Sequence, residues 1–461
     1  MPTASAPARI AGVDSVRLAA LYERECAAYA AARPRSRALN AAGQHGYYAG
    51  VPLHWMLDWP MPFPMIVAQA SGATLCDVDG IEIADFCLGD TGSMFGHSPA
   101  PVVRTIMQQA ARGLTYMLPT EDALAVGGLL AQRFGLPHWQ VATTASDANR
   151  FALRVARGVT GRGRVVVMNG CYHGAVDESY VTLASGRTVN QPGLVGQYVD
   201  LTAHTTCVEF NDLPALERAL AGGDVACVIT EPVLTNCCMV LPAPGYHAGL
   251  RRLTRAAGTL LLIDETHTIS TGPRGYTGTF GLEPDIFVLG KPVAGGVPTS
   301  VWGFTDAMAS AWNELRGRKP AGHSGFGTTL SANALSLACM RTVLTEVMTD
   351  AAYAHMESLA AELVAGLVRA IDAARLPWHA LRVGARVEFV CAPGPLRNGG
   401  EGLAAHAPEV ERAVHVALVN RGCLIAPFHN MMLVCPATTR TQVARLVNAF
   451  TDITAQLACL R

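Results

Sequence analysis

The stretch GTLLLIDETHTI, residues 258–269, contains a short apolar run that ends in an acid. Four apolar residues, 260–263, directly precede Asp264. Short, continuous apolar runs are typical of strands that are buried on both faces of a parallel sheet. Such sheets bind ligands beyond the carboxyl ends of their strands, where Asp264 would lie. A charge at that place is costly unless it is paired, so Asp264 is either a functional acid or the cap of a following helix.

The same kind of apolar run recurs through the middle of the chain, separated by amphipathic segments. This alternation, from about residue 100 to residue 305, predicts an α/β fold with a mostly parallel sheet covered by helices on both faces. The other predicted strands are RVVVMN (164–169), VACVITEP (225–232), DIFVLGK (285–291) and TSVWGF (299–304).

The pattern changes near residue 335, which suggests a division into domains. A long helical region there is followed by a short strand, another helix and the run CLIAPFHNMMLVCP, which together indicate a smaller α+β unit. We expect an N-terminal segment at 1–85, with a helix, a pocket-lining aromatic stretch and a small sheet. A large domain at 86–340 and a C-terminal small domain at 341–461 would follow.

The composition excludes several classes of protein. Half of the residues are apolar, 15% are charged and the formal net charge is −1, which argues against a nucleic-acid or anionic membrane surface. No apolar run approaches the length of a membrane span, and the N-terminus lacks the apolar core of a signal peptide, so a cytoplasmic location is expected. The thirteen cysteines are scattered without the spacing of metal ligands, and we expect no metal.

The use of lysine is the second unusual feature. Of the 35 Lys and Arg residues, only two are lysine, Lys291 and Lys319. Lys291 follows an apolar run and precedes PVAGG, where a surface charge has little purpose. Arginine stays protonated, whereas a desolvated lysine can act as an amine nucleophile and form Schiff bases. Lys291 is therefore a candidate for amine chemistry, the alternative being a chance lysine at a strand end.

Two further segments supply parts of a cofactor site. TTASDAN (143–149) is a hydroxyl-rich turn before a helix, where the N–H groups of Ala145 and Ser146 would face an anion, although an ordinary capped helix looks the same. NGCYHG (169–174) offers Tyr172 as a flat partner for a ring. Pyridoxal phosphate needs this combination: a lysine for its aldehyde, an acid for its ring nitrogen and a phosphate cradle.

These residues, taken in order, resemble the class III aminotransferases of fold type I. The branch concerned includes glutamate-1-semialdehyde aminomutase and β-amino acid aminotransferases. The matching segments are VDGIEIADFCLGDTGSMFGHSP, TASDAN, GCYHG, ITEPV, IDETHT, LGK and GTTLSANALSLA. The resemblance implies a large domain with a mostly parallel sheet, a smaller α+β domain built from the C-terminus and the N-terminal segment, and pyridoxal 5'-phosphate as cofactor.

The resemblance also implies a role for each matched residue. Lys291 would form the Schiff base and move the proton at the substrate carbon, with Asp264 paired to the pyridinium nitrogen. Tyr172 would stack on the ring, and Ala145 and Ser146 would hold the phosphate.

Further roles concern the surroundings of the ring. Glu231 would lie on the substrate side, and His267 either near the phenolic oxygen or simply on a helix face. Thr329 would reach the phosphate of the other subunit, with Thr328 also eligible, which implies a homodimer with shared active sites.

The substrate is the least determined part of the prediction. Some relatives carry an arginine for a substrate carboxylate in the C-terminal segment, where this chain has APFHNMM (426–432). Trp55, Phe428, His429 and Asn430 would line a wide, mostly apolar pocket, unless another arginine binds the carboxylate. We therefore expect an aminotransferase that moves an amino group from an amine or a β- or ω-amino acid to a keto acid such as pyruvate. The alternative is a glutamate-1-semialdehyde-type aminomutase.

Overall fold

The computed structural model describes residues 9–43, 46–427 and 429–458. Its strands are β1 (Arg9–Ile10), β2 (Val13–Asp14), β3 (Val67–Ser71), β4 (Thr74–Asp77), β5 (Glu82–Asp85), β6 (His138–Ala142), β7 (Arg164–Met168), β8 (Val181–Ala184), β9 (Arg187–Asn190), β10 (Thr205–Val208), β11 (Val225–Thr230), β12 (Leu260–Asp264), β13 (Ile286–Leu289), β14 (Ser300–Phe304), β15 (His379–Val383), β16 (Arg386–Val390), β17 (Cys423–Leu424) and β18 (Met431–Leu433).

The α-helices lie mostly between these strands or after them. They are α1 (Ser15–Ala32), α2 (Pro34–Ala41), α3 (Ala100–Ala110), α4 (Glu121–Phe134), α5 (Ala145–Thr160), α6 (Leu213–Leu220), α7 (Tyr246–Ala256), α8 (Gly275–Phe280), α9 (Asp306–Arg318), α10 (Ala334–Thr342), α11 (Asp350–Ala374), α12 (Gly399–Ala404), α13 (Pro408–Asn420) and α14 (Arg440–Leu457). None of the helices within the described ranges is long and apolar enough to cross a membrane.

The central element is a seven-stranded sheet in the order β10-β7-β11-β12-β13-β14-β6. The pairs from β10 to β13 are parallel, and β14 runs antiparallel to both β13 and β6. Successive residues face opposite layers: Val165 and Val167 pack in one cluster with Leu153 of α5, whereas Val166 and Met168 pack in another with Leu250 of α7. Burial on both faces explains the continuous apolar runs, and the predicted α/β fold is confirmed.

Smaller sheets combine the two ends of the chain. The strands β3, β4 and β5 form an antiparallel meander. The C-terminal β17 pairs in parallel with β5 and extends this meander into a four-stranded sheet. A second, three-stranded sheet has the order β15-β16-β18. The N-terminal segment thus packs with C-terminal strands, while the predicted domain boundaries after residues 85 and 340 stay a prediction.

The long helical region predicted from residue 335 to residue 375 is interrupted. After α10 the chain forms a wider helical turn at Val343–Val347, and α11 starts afresh at Asp350. The side chain of Thr349 accepts a hydrogen bond from the backbone N–H of Ala352 and so caps the new helix.

A buried ion pair joins the N-terminal helices α1 and α2 to the four-stranded sheet that contains β4. Nε of Arg33 lies 2.9 Å from Oδ2 of Asp77, and both side chains are almost fully buried. Oδ1 of Asp77 also accepts hydrogen bonds from the backbone N–H groups of Asp79 and Ile81, at 3.0 and 2.9 Å. One carboxylate therefore fixes both the turn into β5 and the guanidinium of Arg33.

We expect Asp77→Ala to lower the free energy of unfolding by about 3–5 kcal/mol, because it leaves the Arg33 charge buried without a partner. Urea denaturation followed by circular dichroism would measure the change. Asp58→Ala, which removes an exposed carboxylate, is the matched control and should shift stability by less than about 0.5 kcal/mol. Equal effects of the two substitutions would show that the buried pair contributes nothing.

Candidate active site

Asp264 and Lys291 are brought together by the register of two neighbouring strands. Asp264 ends β12 and pairs with Val288 of β13, and Lys291 follows the end of β13 by two residues. The backbone of Lys291 has a φ of 46°, in the left-handed region, which turns the chain away from the strand. Both side chains line one cavity of about 310 Å³ at the carboxyl edge of the sheet.

The wall of this cavity is built mainly from strand ends and the loops that follow them. It consists of residues 92, 143–146, 172–174, 231, 236, 264, 266, 267, 291 and 296–299. Most of these side chains are polar or charged, so the cavity is suited to a ligand that carries several hydrogen-bonding groups.

One end of the cavity is the N-terminus of α5. The side chain of Thr144 accepts a hydrogen bond from the backbone N–H of Asp147 at 3.1 Å and caps the helix. Ala145 and Ser146, in the first turn, face the cavity, where unpaired N–H groups and the helix dipole favour an anion. The Ser146 hydroxyl oxygen accepts from the N–H of Ala175 at 2.9 Å, which leaves its own proton available. This end would hold a phosphate group.

Gly174 keeps the same loop close to the start of the helix. Its φ is 84°, and a Cβ atom there would lie 2.1 Å from Oγ of Ser146. Only glycine therefore allows the approach, which positions the hydroxyl of Ser146 at the cavity.

Thr328 and Thr329 lie on an exposed stretch before α10. Oγ1 of Thr328 is 2.8 Å from the hydroxyl of Ser331 and 3.3 Å from that of Thr143, which itself lines the cavity. Thr328 is thus held by residues of its own chain.

The other end of the cavity holds an ionised carboxylate. Oδ2 of Asp264 accepts hydrogen bonds from Nδ2 of Asn149 and from Nδ1 of His173, both at 2.9 Å, and Oδ1 accepts from the N–H of Thr266 at 3.1 Å. Burial raises the pKa of Asp264, but His173 and the other donors outweigh it, so this pKa is below its ordinary value. A charged Asp264 would keep a ring nitrogen protonated.

His173 is a partner that the sequence analysis missed, although it stands inside the GCYHG segment. Burial lowers the pKa of its ring, but Cys171 and the Asp264 carboxylate more than compensate and raise it to about 10. The hydrogen bond from His173 therefore stabilises the charged form of Asp264. Tyr172, which directly precedes His173, is half-exposed and lines the cavity.

The amine of Lys291 has two polar partners. Nζ lies 2.6 Å from Oδ2 of Asp90 and is in close contact with Nε2 of His267. Burial and the neighbouring Lys291 and Arg386 cations hold the pKa of His267 well below its usual range, so this ring is neutral. The sequence left His267 either near the phenolic oxygen of the cofactor or on a helix face, and it did not identify Asp90.

Glu231 lies on the wall near the same histidine. Its carboxylate accepts hydrogen bonds from the backbone N–H of Thr235 at 3.1 Å and from Nδ2 of Asn236 at 3.0 Å. The hydroxyl of Thr235 bridges to Nδ1 of His267 at 2.7 Å. Burial raises the pKa of Glu231 in spite of these donors. Thr235 therefore fixes Glu231 and His267 relative to each other.

The residues predicted to line the substrate pocket are not gathered at Lys291. Trp55 lies in the turn His54–Leu57 and is 38% exposed, and within the described ranges it is not part of the cavity wall. Asn430 is buried and accepts a hydrogen bond from Nε2 of His415 at 2.9 Å. His429 is also buried, with Nδ1 3.7 Å from Oε2 of Glu388, and Phe428 lies outside the described residues.

The aromatic lead-in lines a different cavity. This second space, of about 750 Å³, is enclosed largely by apolar side chains that include Trp59, Met61, Phe63 and Met65. The aromatic lead-in therefore lies at a cavity other than that of Lys291, and the apolar substrate pocket stays a prediction.

Behind Asp90 lies a buried arginine that sequence reasoning did not single out. Arg386 begins β16 and is fully buried, and its Nη2 donates to Oγ1 of Thr91 at 2.5 Å. Nε and Nη1 have no hydrogen-bond partner among the described residues, and the same holds for both carboxylate oxygens of Glu388. Arg386 and Glu388 are thus buried charged side chains whose hydrogen-bonding capacity is largely unused within the described ranges.

Comparisons with known proteins agree with this site. The family described as aminotransferase class III matches residues 57–454. A curated relative, glutamate-1-semialdehyde 2,1-aminomutase of Anaeromyxobacter sp. (strain Fw109-5), is 34% identical over 349 residues, which are 74% of this chain and 79% of the relative. The corresponding protein of Bordetella avium (strain 197N) is 31% identical over 370 residues, 79% of this chain and 85% of the relative.

Solved structures extend the likeness to the whole fold. A glutamate-1-semialdehyde aminomutase from Pseudomonas aeruginosa PAO1 has a TM-score of 0.94 and 49% identity, and the match covers 97% of this chain and 100% of that one. An omega-transaminase from Sphaerobacter thermophilus has a TM-score of 0.84 and 25% identity, with 92% and 98% covered.

The residues present fit pyridoxal phosphate. A helix start for a phosphate, an ionised carboxylate for a ring nitrogen and a lysine amine line one cavity. A variant of the Pseudomonas protein has been solved in complex with PMP, the amine form of this cofactor. The chain belongs to the class III aminotransferase family and is a fold-type I enzyme that uses pyridoxal phosphate.

Proposed function

We propose that this enzyme moves an amino group between neighbouring carbons of one small amino carboxylic acid, as a glutamate-1-semialdehyde-type aminomutase. The observation that carries the proposal is the likeness to the Pseudomonas aminomutase over 97% of the chain at 49% identity. The sequence alone favoured transfer to a keto acid, but the relatives favour the alternative.

The hydrogen-bonding side chains that line the lysine cavity support the same choice. Asp90 and His267 contact the amine of Lys291, Glu231 lines the same cavity, and the cavity wall is rich in hydroxyl groups. Glutamate 1-semialdehyde carries a carboxylate, an amine and a carbonyl group within a few bonds. A molecule with so many polar groups is stabilised by polar partners and would lose hydrogen bonds in an apolar pocket.

Pyridoxal phosphate, when bound, supplies a ring that accepts electrons from the substrate carbon. Ionised Asp264, paired with His173, would hold the proton on the ring nitrogen. Lys291 would hold the cofactor and then move the proton at the reacting carbon. Ala145 and Ser146 would bind the phosphate, and Tyr172 would cover the ring.

We further infer a homodimer with shared active sites and a cytoplasmic enzyme. Thr329 is exposed, and as part of GTTLSAN it would contact the phosphate of the partner subunit. The half-exposed Tyr172 and the open cavity would then be covered from outside by that subunit.

A second candidate function is transfer of the amino group from an amine or a β- or ω-amino acid to a keto acid such as pyruvate. The likeness to the omega-transaminase, at a TM-score of 0.84, favours it. The apolar cavity of about 750 Å³ next to residues 85–97 offers room for an apolar donor.

Lys291→Ala should lower turnover by at least roughly 10²–10⁴-fold, because no other amine lies at the reacting carbon to transfer the proton. Steady-state kinetics and the visible absorption of the bound cofactor would both report the change. Lys319→Ala removes the other lysine, which is exposed, and should leave the kinetics unaltered. A Lys291→Ala enzyme with wild-type turnover would refute the assigned site.

Asp264→Asn should still bind cofactor but lose roughly 10²–10³-fold in kcat, since a neutral amide does not keep the ring nitrogen protonated. Cofactor retained after gel filtration separates this loss from a loss of binding. If kcat stays near the wild-type value at full cofactor content, Asp264 acts only as a local cap for Thr266.

The proposed reaction is tested directly with ¹⁵N-labelled glutamate 1-semialdehyde and enzyme in the amine form, without any keto acid. We expect the semialdehyde to be converted to the isomer with the amino group on carbon 1, and mass spectrometry would measure this conversion. A transaminase would instead need pyruvate and would release alanine. Alanine formation from a β-amino acid, without any isomer from the semialdehyde, would replace the aminomutase proposal with the second candidate.

A further inference from the structure

A row of hydrogen bonds leads from the amine of Lys291 to the carboxylate of Glu231. Nζ of Lys291 is in close contact with Nε2 of His267, whose Nδ1 lies 2.7 Å from Oγ1 of Thr235. Oγ1 of Thr235 donates in turn to Oε2 of Glu231. These four side chains, here called the Lys291–Glu231 row, follow the carboxyl ends of the neighbouring strands β11, β12 and β13.

The middle of the row is shielded from solvent, whereas its two ends open to the same cavity. Thr235 is fully buried, and Glu231 and His267 are almost so. Lys291, His267 and Glu231 line the lysine cavity. A proton that moves along the row therefore travels between two functional groups of one site without passing through bulk water.

The network assigns the proton of each link. An ionised carboxylate only accepts hydrogen bonds, so the Thr235 hydroxyl gives its single proton to Glu231. The Thr235 oxygen then accepts from Nδ1 of His267, which therefore carries a proton. Burial and the neighbouring Lys291 cation hold the pKa of His267 well below its usual range, so the ring is neutral. Nε2 is consequently an acceptor, and it faces the ammonium of Lys291.

Lys291 needs an acceptor of this kind. An amine takes up a proton only when it is uncharged, whereas Oδ2 of Asp90, 2.6 Å from Nζ, stabilises the charged ammonium. Burial raises the pKa of Asp90, but Lys291 and other basic side chains outweigh it and hold this pKa well below its usual range. Asp90 therefore remains a carboxylate, and the proton of Lys291 requires another destination.

Glu231 is suited to receive that proton. Burial raises the pKa of its carboxyl in spite of the hydrogen bonds from Thr235 and Asn236. A buried carboxyl with a raised pKa takes up a proton more readily than one whose charge is stabilised by cations. The two carboxyl groups near Lys291 thus differ in role: Asp90 holds the ammonium, and Glu231 can neutralise it.

We propose that His267 and Thr235 pass a proton from the Lys291 ammonium to Glu231 and return it, so that Lys291 is a free amine when it acts. The N–H bond at Nζ breaks as one forms at Nε2 of His267. The proton on Nδ1 moves to Oγ1 of Thr235, and the proton of Oγ1 moves to Oε2 of Glu231. An ammonium and a carboxylate become an amine and a carboxylic acid, and no oxidant or reductant takes part.

The proposal rests on the proposed function, in which Lys291 moves the proton at the reacting carbon. After the transfer, Glu231 donates to Oγ1 of Thr235, the hydroxyl donates to Nδ1 of His267, and Nε2 donates to the amine. Every hydrogen bond of the row is kept with its direction reversed, so no buried donor loses its partner. Thr235 serves in both arrangements because a hydroxyl both donates and accepts.

Other titratable or charged side chains lie near the row without linking His267 to Glu231. They are Asp90, His173, Asp264, Arg386 and His429. The substitutions used below leave all five in place.

The protonation of Lys291 is measurable without turnover, because the chain has only one other lysine, the exposed Lys319. Enzyme in the amine form, where the Lys291 amine is not bonded to the cofactor, is treated with trace amounts of isotope-labelled acetic anhydride at a series of pH values. Peptide mass spectrometry gives the acetylation rate of each lysine. Only an uncharged amine reacts, so the rate at Lys319 should fall about tenfold for each pH unit below its pKa.

Lys291 should behave differently from this internal control. Transfer within the row leaves the number of bound protons unchanged, so between the two pKa values of the row the rate at Lys291 should be independent of pH. Glu231→Gln removes the acceptor and should restore the fall of about tenfold per pH unit. An ordinary titration of Lys291 in the unsubstituted enzyme would overturn the proposal, and so would a pH-independent rate that persists in Glu231→Gln.

The path through Thr235 is tested by kinetics. Thr235→Val removes the hydroxyl but keeps the shape of the side chain, and kcat should fall roughly 10²-fold. Imidazole, added at constant pH and ionic strength, should raise this kcat, because a small base takes the proton that the row no longer carries. Thr235→Ser keeps the hydroxyl and should recover most of the loss. Thr254→Val, the matched control, removes a buried hydroxyl on α7 and should leave kcat unaltered.

A double variant separates proton transfer from two independent effects. Thr235→Val/Glu231→Gln should lose no more than the more impaired single variant, because both changes interrupt the same transfer. Losses that add, a wild-type kcat in Thr235→Val, or a Thr235→Val enzyme that does not respond to imidazole would each reduce Thr235 to a structural residue and refute the path.

The outcomes distinguish this proposal from the proposed function. If the semialdehyde is isomerised but Lys291 titrates like Lys319, the aminomutase activity stands and the row carries no proton. If the semialdehyde is not isomerised but the pH-independent rate depends on Glu231, the row stands and the aminomutase assignment is wrong.

Discussion

The pairing of β12 with β13 is the constraint on which the active site depends. It pairs Asp264 with Val288, which lies three residues before Lys291 in the sequence. The acid and the lysine are therefore close neighbours at the carboxyl edge of the sheet. Strands buried on both faces cannot slip by one residue without moving their apolar side chains, so the register is fixed by the core. The distance between the two functional groups is thus determined by apolar packing that takes no part in the chemistry.

Within the same cavity, the charge of each titratable side chain depends on its hydrogen-bonding and ionic partners. Burial alone would neutralise every acid and histidine in it. Asp264 stays ionised because its three donors, among them His173, stabilise the charge, whereas His267, beside Lys291, is held neutral. Neighbouring side chains of similar burial therefore differ in charge because their partners differ.

The sequence predicted the parts of the fold that repeat a local pattern. The apolar strands and the amphipathic helices between them were identified because burial on two faces and on one face leave different periodicities. Asp264 and Lys291 stood out as charged residues at the ends of such strands. The lysine gained weight because arginine provides nearly every other positive charge in the chain.

The residues that the sequence did not reveal owe their position to tertiary contacts. Asp90 sits in a left-handed loop, which has no periodicity, and reaches Lys291 across 201 positions of sequence. Arg386 reads as an ordinary strand residue in ARVEF, and only its burial without a carboxylate partner makes it unusual. The aromatic stretch near Trp55 was assigned to the substrate because it is apolar, yet it encloses a separate cavity.

Arg386 and Asp90 also show how the two ends of the chain complete one site. Arg386 lies on the C-terminal sheet and holds Thr91, while Asp85 at the end of β5 holds the other side of the same loop. β5 in turn pairs with the C-terminal β17. The small sheets thus hold the loop that places Asp90 beside Lys291, although they contribute few atoms to the wall of the lysine cavity.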